Sequence, residues 1–164
     1  RFAHKSIGLS RPVDVRDVAE HAVALLEQRL QSRGGKVLLR FPETPLEAQC
    51  DPNRLEQVLI NLIGNALDAM TGQTTPLIEV IGTESASMVH IEVRDHGPGL
   101  SSEALARLFE PFFTTKEAGE GLGLGLAISS GIVSDFGGTL EGGNHAEGGA
   151  VFTLEIPISA STPT

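Results

Sequence analysis

An α/β fold, with strands gathered into one sheet and helices stacked on one of its faces, is what the sequence predicts. Three observations lead there. Segments with an apolar period near 3.6 alternate with short runs of period two. The strand candidates fall mostly into hairpin-like pairs, with no repeated strand–helix–strand unit. Two glycine clusters, DHGPG at residues 95–99 and GLGLG at residues 121–125, flank a polar segment that carries phenylalanines. At 164 residues the chain has the size of one domain, and 40% apolar residues suffice for a substantial core.

Residues 1–11 are polar and basic without a clear period and read as a connector from a preceding element. In PVDVRDV a short strand leads into a helix, with Asp14 as N-cap and Val18, Ala22, Leu25, Leu26 and Leu30 at helical spacing until Gly34 and Gly35 end it. Residues 36–41 read as a strand, and the prolines at 42 and 45 demote the next residues to loop. Asp51-Pro52 starts a second helix running to about Met70, with Leu55, Val58, Leu59, Leu62, Ile63, Ala66 and Met70 on its apolar face. Asn61, Asn65 and Asp68 share a stripe roughly 60° wide beside that face. The stripe reads either as satisfied structural polar groups or as a functional line.

Residues 77–82 and 88–94 form an antiparallel hairpin that delivers Asp95 to a sharp turn. Residues 101–108 make one or two helical turns capped by Ser101 or Ser102, and residues 109–120 form a loop of functional length. A third main helix runs from Leu124 to Phe136 on a stripe of Ile128, Ile132, Val133 and Phe136 and stops at Gly137-Gly138. Residues 139–142 and 150–156 are the last strand pair, and the tail after Pro157 is small and polar.

The net charge of −9 argues against nucleic acid as a partner. No apolar run approaches the roughly 18 residues of a membrane span. The single cysteine, Cys50, makes no internal disulfide, which fits a reducing compartment, and zinc finds no support. His4, His21, His90, His96 and His145 show neither metal-ligand spacing nor a nucleophile partner. The chain starts at Arg1 without an initiator methionine or a signal-like segment, as expected of a piece of a longer protein.

Each candidate site residue has a bland reading beside the sharp one. Asp95 is a strand-end turn acid, or a carboxylate that accepts a hydrogen bond from an exocyclic amine, with Gly97 and Gly99 admitting a flat base. Lys116 is a solvated lysine, or a cation reaching a terminal phosphate. Gly121, Gly123 and Gly125 precede a helix, where bare N–H groups and the helix dipole suit an anion. Asn65 can offer an amide oxygen to Mg²⁺, which prefers hard oxygen ligands. Phe109, Phe112 and Phe113, three of seven phenylalanines, are core residues or anchors of a closing loop.

Taken in series, NLIGNALDAM, DHGPGL, FEPFFTTK, GLGLGLAIS and GGAVFTLEIP resemble, in order and spacing, the motif boxes of the catalytic domain of sensor histidine kinases. Those kinases belong to the gyrase/Hsp90/kinase/MutL ATPase superfamily. The match covers roughly residues 12–158, and GLGLGL with FFTTK is similar to the nitrogen-regulatory and C4-dicarboxylate-transport sensors. The resemblance implies a two-layer α/β sandwich of Bergerat type, a mixed sheet on three main helices. It implies a connector at residues 1–11 from an absent helical dimerisation domain, an ATP-binding domain at residues 12–158 and a tail at residues 159–164. ATP would be bound by Asn65, Asp95, Gly97, Gly99, Thr115, Lys116, Gly121, Gly123, Gly125, Leu126 and Thr153, with Asp95 on the adenine amine and Thr153 near the base. Asn65 would hold Mg²⁺, residues 109–121 would form the lid, and Asn61 and Lys116 would take catalytic parts.

In the hydrolysing relatives a glutamate one turn before the metal-binding Asn activates water. The amide of Asn61 cannot accept that proton, which favours transfer to a histidine on the dimerisation domain. Leu122 departs from the small polar residue common at that place. The implied partners are that domain, in a full-length homodimer, and a downstream response regulator; the fragment alone would be a monomer. The implied location is cytoplasmic, as a domain of an inner-membrane sensor protein. The alternatives are a regulatory nucleotide-binding module without catalysis and a serine-directed kinase of anti-sigma type.

Overall fold

A computed structural model of the chain describes residues 9–113 and 125–159. The element order is β1 (Arg11–Asp14), α1 (Val15–Leu25), α2 (Glu27–Arg33), β2 (Lys36–Arg40), β3 (Glu47–Cys50), α3 (Pro52–Ala69), β4 (Leu77–Ser85), β5 (Met88–Arg94), α4 (Ser102–Arg107), α5 (Gly125–Asp135), β6 (Thr139–Asn144) and β7 (Ala150–Pro157). Five strands form one sheet in the order β2-β4-β5-β7-β6. The β2–β4 pair is parallel and the other three are antiparallel, so the sheet is mixed.

Strict alternation decides which face is covered. In β4, β5 and β7 the residues Ile78, Val80, Val89, Ile91, Val93, Phe152, Leu154 and Ile156 are buried, while their neighbours in sequence are half-buried on the other side. The buried face forms one apolar cluster with Val18, Ala22, Leu59, Leu62, Ile63 and Val133 of the helices. That is the two-layer arrangement the sequence predicts.

The helix ends follow local chemistry. Asp14 caps α1 through Arg16 N–H, Asp51 caps α3 through Asn53 N–H with Pro52 at the first helical position, and Ser101 caps α4 through Ala104 N–H. Four expectations need correction. The first helix is interrupted at Leu26, whose φ of −97° and ψ of 6° close one helix and open the next. Leu25 is consequently 59% exposed rather than part of the stripe. The segment after Pro45 is a strand, because β3 pairs antiparallel with β1 in a second, two-stranded sheet. On α5 Ile132 and Val133 of the expected stripe are buried and Phe136 packs partly buried on the core, but Ile128 is 49% exposed and Ser129 is buried beside it.

Candidate functional site

The site is built where β5 ends. The β5–β7 ladder runs to Arg94 opposite Val151, and the next rung is made differently. Asp95 N–H donates to Ala150 C=O at 3.0 Å, and Ala150 N–H donates back to Asp95 Oδ1 at 3.1 Å, so a carboxylate replaces a backbone carbonyl. The same Oδ1 accepts Gly97 N–H at 2.8 Å, closing an Asx turn. Asp95 is 4% exposed, yet among the described residues Oδ2 accepts no hydrogen bond. One oxygen is therefore fixed by two N–H donors, and the other is left for a donor from outside.

The turn beyond Asp95 is held from several sides. His96 N–H donates to Met70 Sδ at 3.4 Å, and Gln73 Nε2 donates to His96 C=O at 3.0 Å, so the residues after α3 grip both backbone groups of His96. The His96 ring lies 3.6 Å from Glu79. A Cβ on Gly97 would come within 2.7 Å of Ala69 C=O, and one on Gly149 within 2.1 Å of Asp95 C=O. Gly149 also has φ of +87°, so that approach requires glycine twice over. At the far end Asn144 accepts Leu100 N–H at 2.7 Å and donates to Leu100 C=O at 2.8 Å.

The polar stripe of α3 divides. Asn61 Nδ2 donates to the buried Ser129 Oγ at 3.3 Å, and its Oδ1 lies where a Cβ on Gly125 would meet it at 2.5 Å. Asn61 thus ties α3 to the first turn of α5. Asn65 is half-buried one turn further on. Asp68 leans toward α2, 3.4 Å from Arg29 and 3.8 Å from Arg33. Leu126 packs partly buried against the core.

Thr153 is not brought to Asp95. Residues on β7 alternate, so Thr153 shares a face with its cross-strand partners Glu92 and Glu141, opposite to buried Phe152 and Leu154. The group of β7 that does reach Asp95 is the backbone of Ala150. Sequence reasoning missed it because a main-chain donor leaves no mark in residue type; Asn144, between the last two strand candidates, was not singled out. Thr115, Lys116, Gly121 and Gly123 lie outside the described residues, as does most of the expected lid. Of the three phenylalanines, Phe109 packs partly buried against the core, Phe113 lies 4.6 Å under the Arg107 guanidinium, and Phe112 is 72% exposed.

Asn65 is a neutral oxygen donor, and no group of three His, Cys, Asp or Glu able to hold a metal occurs among the described residues. That donor set fits an ion carried mainly by phosphate oxygens, with the protein adding one ligand. A cleft of about 250 Å³ between β1, α1 and the start of α3 is lined by Asp14, Asp17, His21, Asn53 and Glu56 and shares no residue with the Asp95 site. No helix among the described residues is long and apolar enough to cross a membrane.

Comparison with known proteins adds three relatives and a family. The family model described as "Histidine kinase-, DNA gyrase B-, and HSP90-like ATPase" matches residues 50–160. The C4-dicarboxylate transport sensor protein DctB of Pseudomonas aeruginosa is 42% identical over 145 residues, covering 88% of this chain and 24% of that protein. The chain thus spans about a quarter of that relative's length. The catalytic domain of histidine kinase ThkA superposes with a TM-score of 0.81 at 30% identity, over 92% of this chain and 96% of that one. Full-length ShkA, solved in complex with AMPPNP, gives a TM-score of 0.80 at 28% identity, over 94% of this chain and 32% of that one.

Proposed function

The chain belongs to the histidine kinase-, DNA gyrase B- and HSP90-like ATPase family as an ATP-binding catalytic domain of the sensor histidine kinase type, and on that premise we propose that it transfers the γ-phosphoryl group of ATP to a histidine on a separate helical dimerisation domain. The observation that carries the proposal is the buried carboxylate of Asp95, with Oδ1 anchored by two backbone N–H groups and Oδ2 open to a ligand donor. A carboxylate held this way suits the exocyclic amine of adenine, and glycine at 97 and 149 keeps the backbone around it closely packed.

In this reading Asp95 selects the base, and Gly97 and Gly99 shape the pocket beside it. Thr115, Lys116 and the backbone of Gly121, Gly123 and Gly125 hold the phosphates, and Leu126 lines the approach. Asn65 serves as the protein's ligand to Mg²⁺, which when bound neutralises phosphate charge. A ring nitrogen of the acceptor histidine attacks the γ-phosphorus, the new P–N bond replaces the P–O bond to the β-phosphate, and ADP leaves. Asn61, an amide held by Ser129, has no capacity to take a proton from water at neutral pH, which supports transfer over hydrolysis. The full-length protein is then a homodimeric sensor that supplies a response regulator, with this domain in the cytoplasm.

The test is calorimetric titration of the chain with a nonhydrolysable ATP analogue, with and without Mg²⁺. It is followed by incubation with γ-labelled ATP and the separately expressed dimerisation domain of the full-length protein. Micromolar, metal-sensitive binding and label on the acceptor histidine are expected. Absence of binding overturns the nucleotide assignment, and binding without transfer converts the domain into a regulatory module.

A further inference from the structure

Asn144 and Ala150 face each other across the β6–β7 ladder as register partners. Between them the chain turns through residues 145–149, closed by His145 N–H to Gly149 C=O at 2.8 Å and Gly148 N–H to His145 C=O at 3.0 Å. This one cross-strand pair touches both ends of the DHGPGL turn. Ala150 holds its beginning through Asp95 Oδ1, and Asn144 holds its end through both backbone groups of Leu100. Gly99, just before Leu100, has φ of +84°, and a Cβ there would lie 2.9 Å from Asn144 Oδ1. The side-chain amide of Asn144 thereby acts as an extra strand residue, giving Leu100 the two hydrogen bonds a neighbouring backbone would give.

We propose that Asn144 is a positioning residue for base recognition: with Ala150 it fixes the span of the turn from Asp95 to Leu100, and so the distance between the recognising carboxylate and the opposite rim of the base pocket. The inference rests on the reading of Asp95 as the adenine acceptor. Among the described residues Asn144 makes no hydrogen bond to Asp95, and its side-chain hydrogen bonds go to the backbone of Leu100. Replacing its amide NH₂ by a carboxylate oxygen sets that oxygen against Leu100 C=O while leaving the side chain's shape unchanged. The turn loses its far anchor, and Gly99 is free to widen the pocket.

The experiment measures affinity of the wild-type chain, Asn144→Asp and Asn144→Ala for ATP and for ITP, whose base carries an oxygen in place of the exocyclic amine, with thermal unfolding recorded for each. ATP affinity is expected to fall roughly fivefold to tenfold in both variants. ITP affinity is expected to stay within about twofold, so that discrimination between the bases narrows. A parallel loss for both nucleotides, or no loss for either, overturns the positioning role; Asn144→Asp decides the matter if Asn144→Ala is poorly folded. If the wild-type chain itself does not prefer ATP over ITP, the reading of Asp95 fails, and this inference falls with it for a separately visible reason.

Discussion

Asp95→Asn tests the residue on which the proposed base site depends. An amide can keep its oxygen toward Gly97 and Ala150, but it then presents NH₂ where Oδ2 stood, so a donor faces the donor amine of adenine. A charge-assisted hydrogen bond is lost, and ATP affinity should fall by roughly tenfold or more in calorimetry, with the unfolding temperature little changed. Unchanged affinity would remove Asp95 from the base site. The turn at Asp95 was legible in the sequence because a carboxylate at a strand end followed by two glycines marks a sharp turn, and the Asx turn to Gly97 is that turn. Thr153 shows the complementary limit. Its hydroxyl is visible in the sequence, but its face depends on strand parity, and the backbone of Ala150 that does the bonding is chemically silent in any residue list.

Among the elements, α3 was the most legible: Asp51-Pro52 marks its start and eight buried residues recur at helical spacing. The β1–β3 pair was not, because four-residue strands carry too little alternation to outweigh nearby prolines. Nor does a strand's own pattern name its partner, so the parallel docking of β2 on β4 had to come from the fold. In α5 the expected stripe missed at one position, because a serine at 129 is buried against the amide of Asn61 while Ile128 is exposed, and pattern counting scores serine as polar. The same helix offers a test of its continuity. Gly131 is exposed, and a Cβ there would meet nothing within 4 Å, so Gly131→Ala should add about 0.5–1 kcal/mol to stability in urea denaturation. A loss of stability would mean that α5 does not persist as a regular helix in solution.

Across the whole molecule, β3 gathers the two ends of the described chain. It pairs with β1, its Ala48 bridges Ile158, and Glu47 C=O accepts Ser159 N–H at 3.0 Å. Cys50 ends this strand fully buried, and its thiol is pushed up from 9.0 to about 12, first by burial and then by Asp51, with Arg11 opposing. The folded state therefore keeps its proton where the unfolded chain has lost it. The contribution of this thiol to stability should be level below about pH 9 and fall above it, by up to about 1.4 kcal/mol per pH unit, until the folded thiol ionises as well. Denaturation midpoints at pH 8 and pH 10 for the wild type and Cys50→Ala check this: the slope should flatten in the variant. The two-layer class itself was legible from alternating periods and paired strands, since those reflect which faces must be dry.

The rung in which a carboxylate replaces a carbonyl also gives the protein an internal reporter. The amide proton of Ala150 is bonded to Oδ1 of the same carboxyl group whose Oδ2 we propose as the acceptor for adenine. Electron density shared across that group reaches the proton, so its magnetic resonance frequency registers occupancy of Oδ2 without any label on the nucleotide.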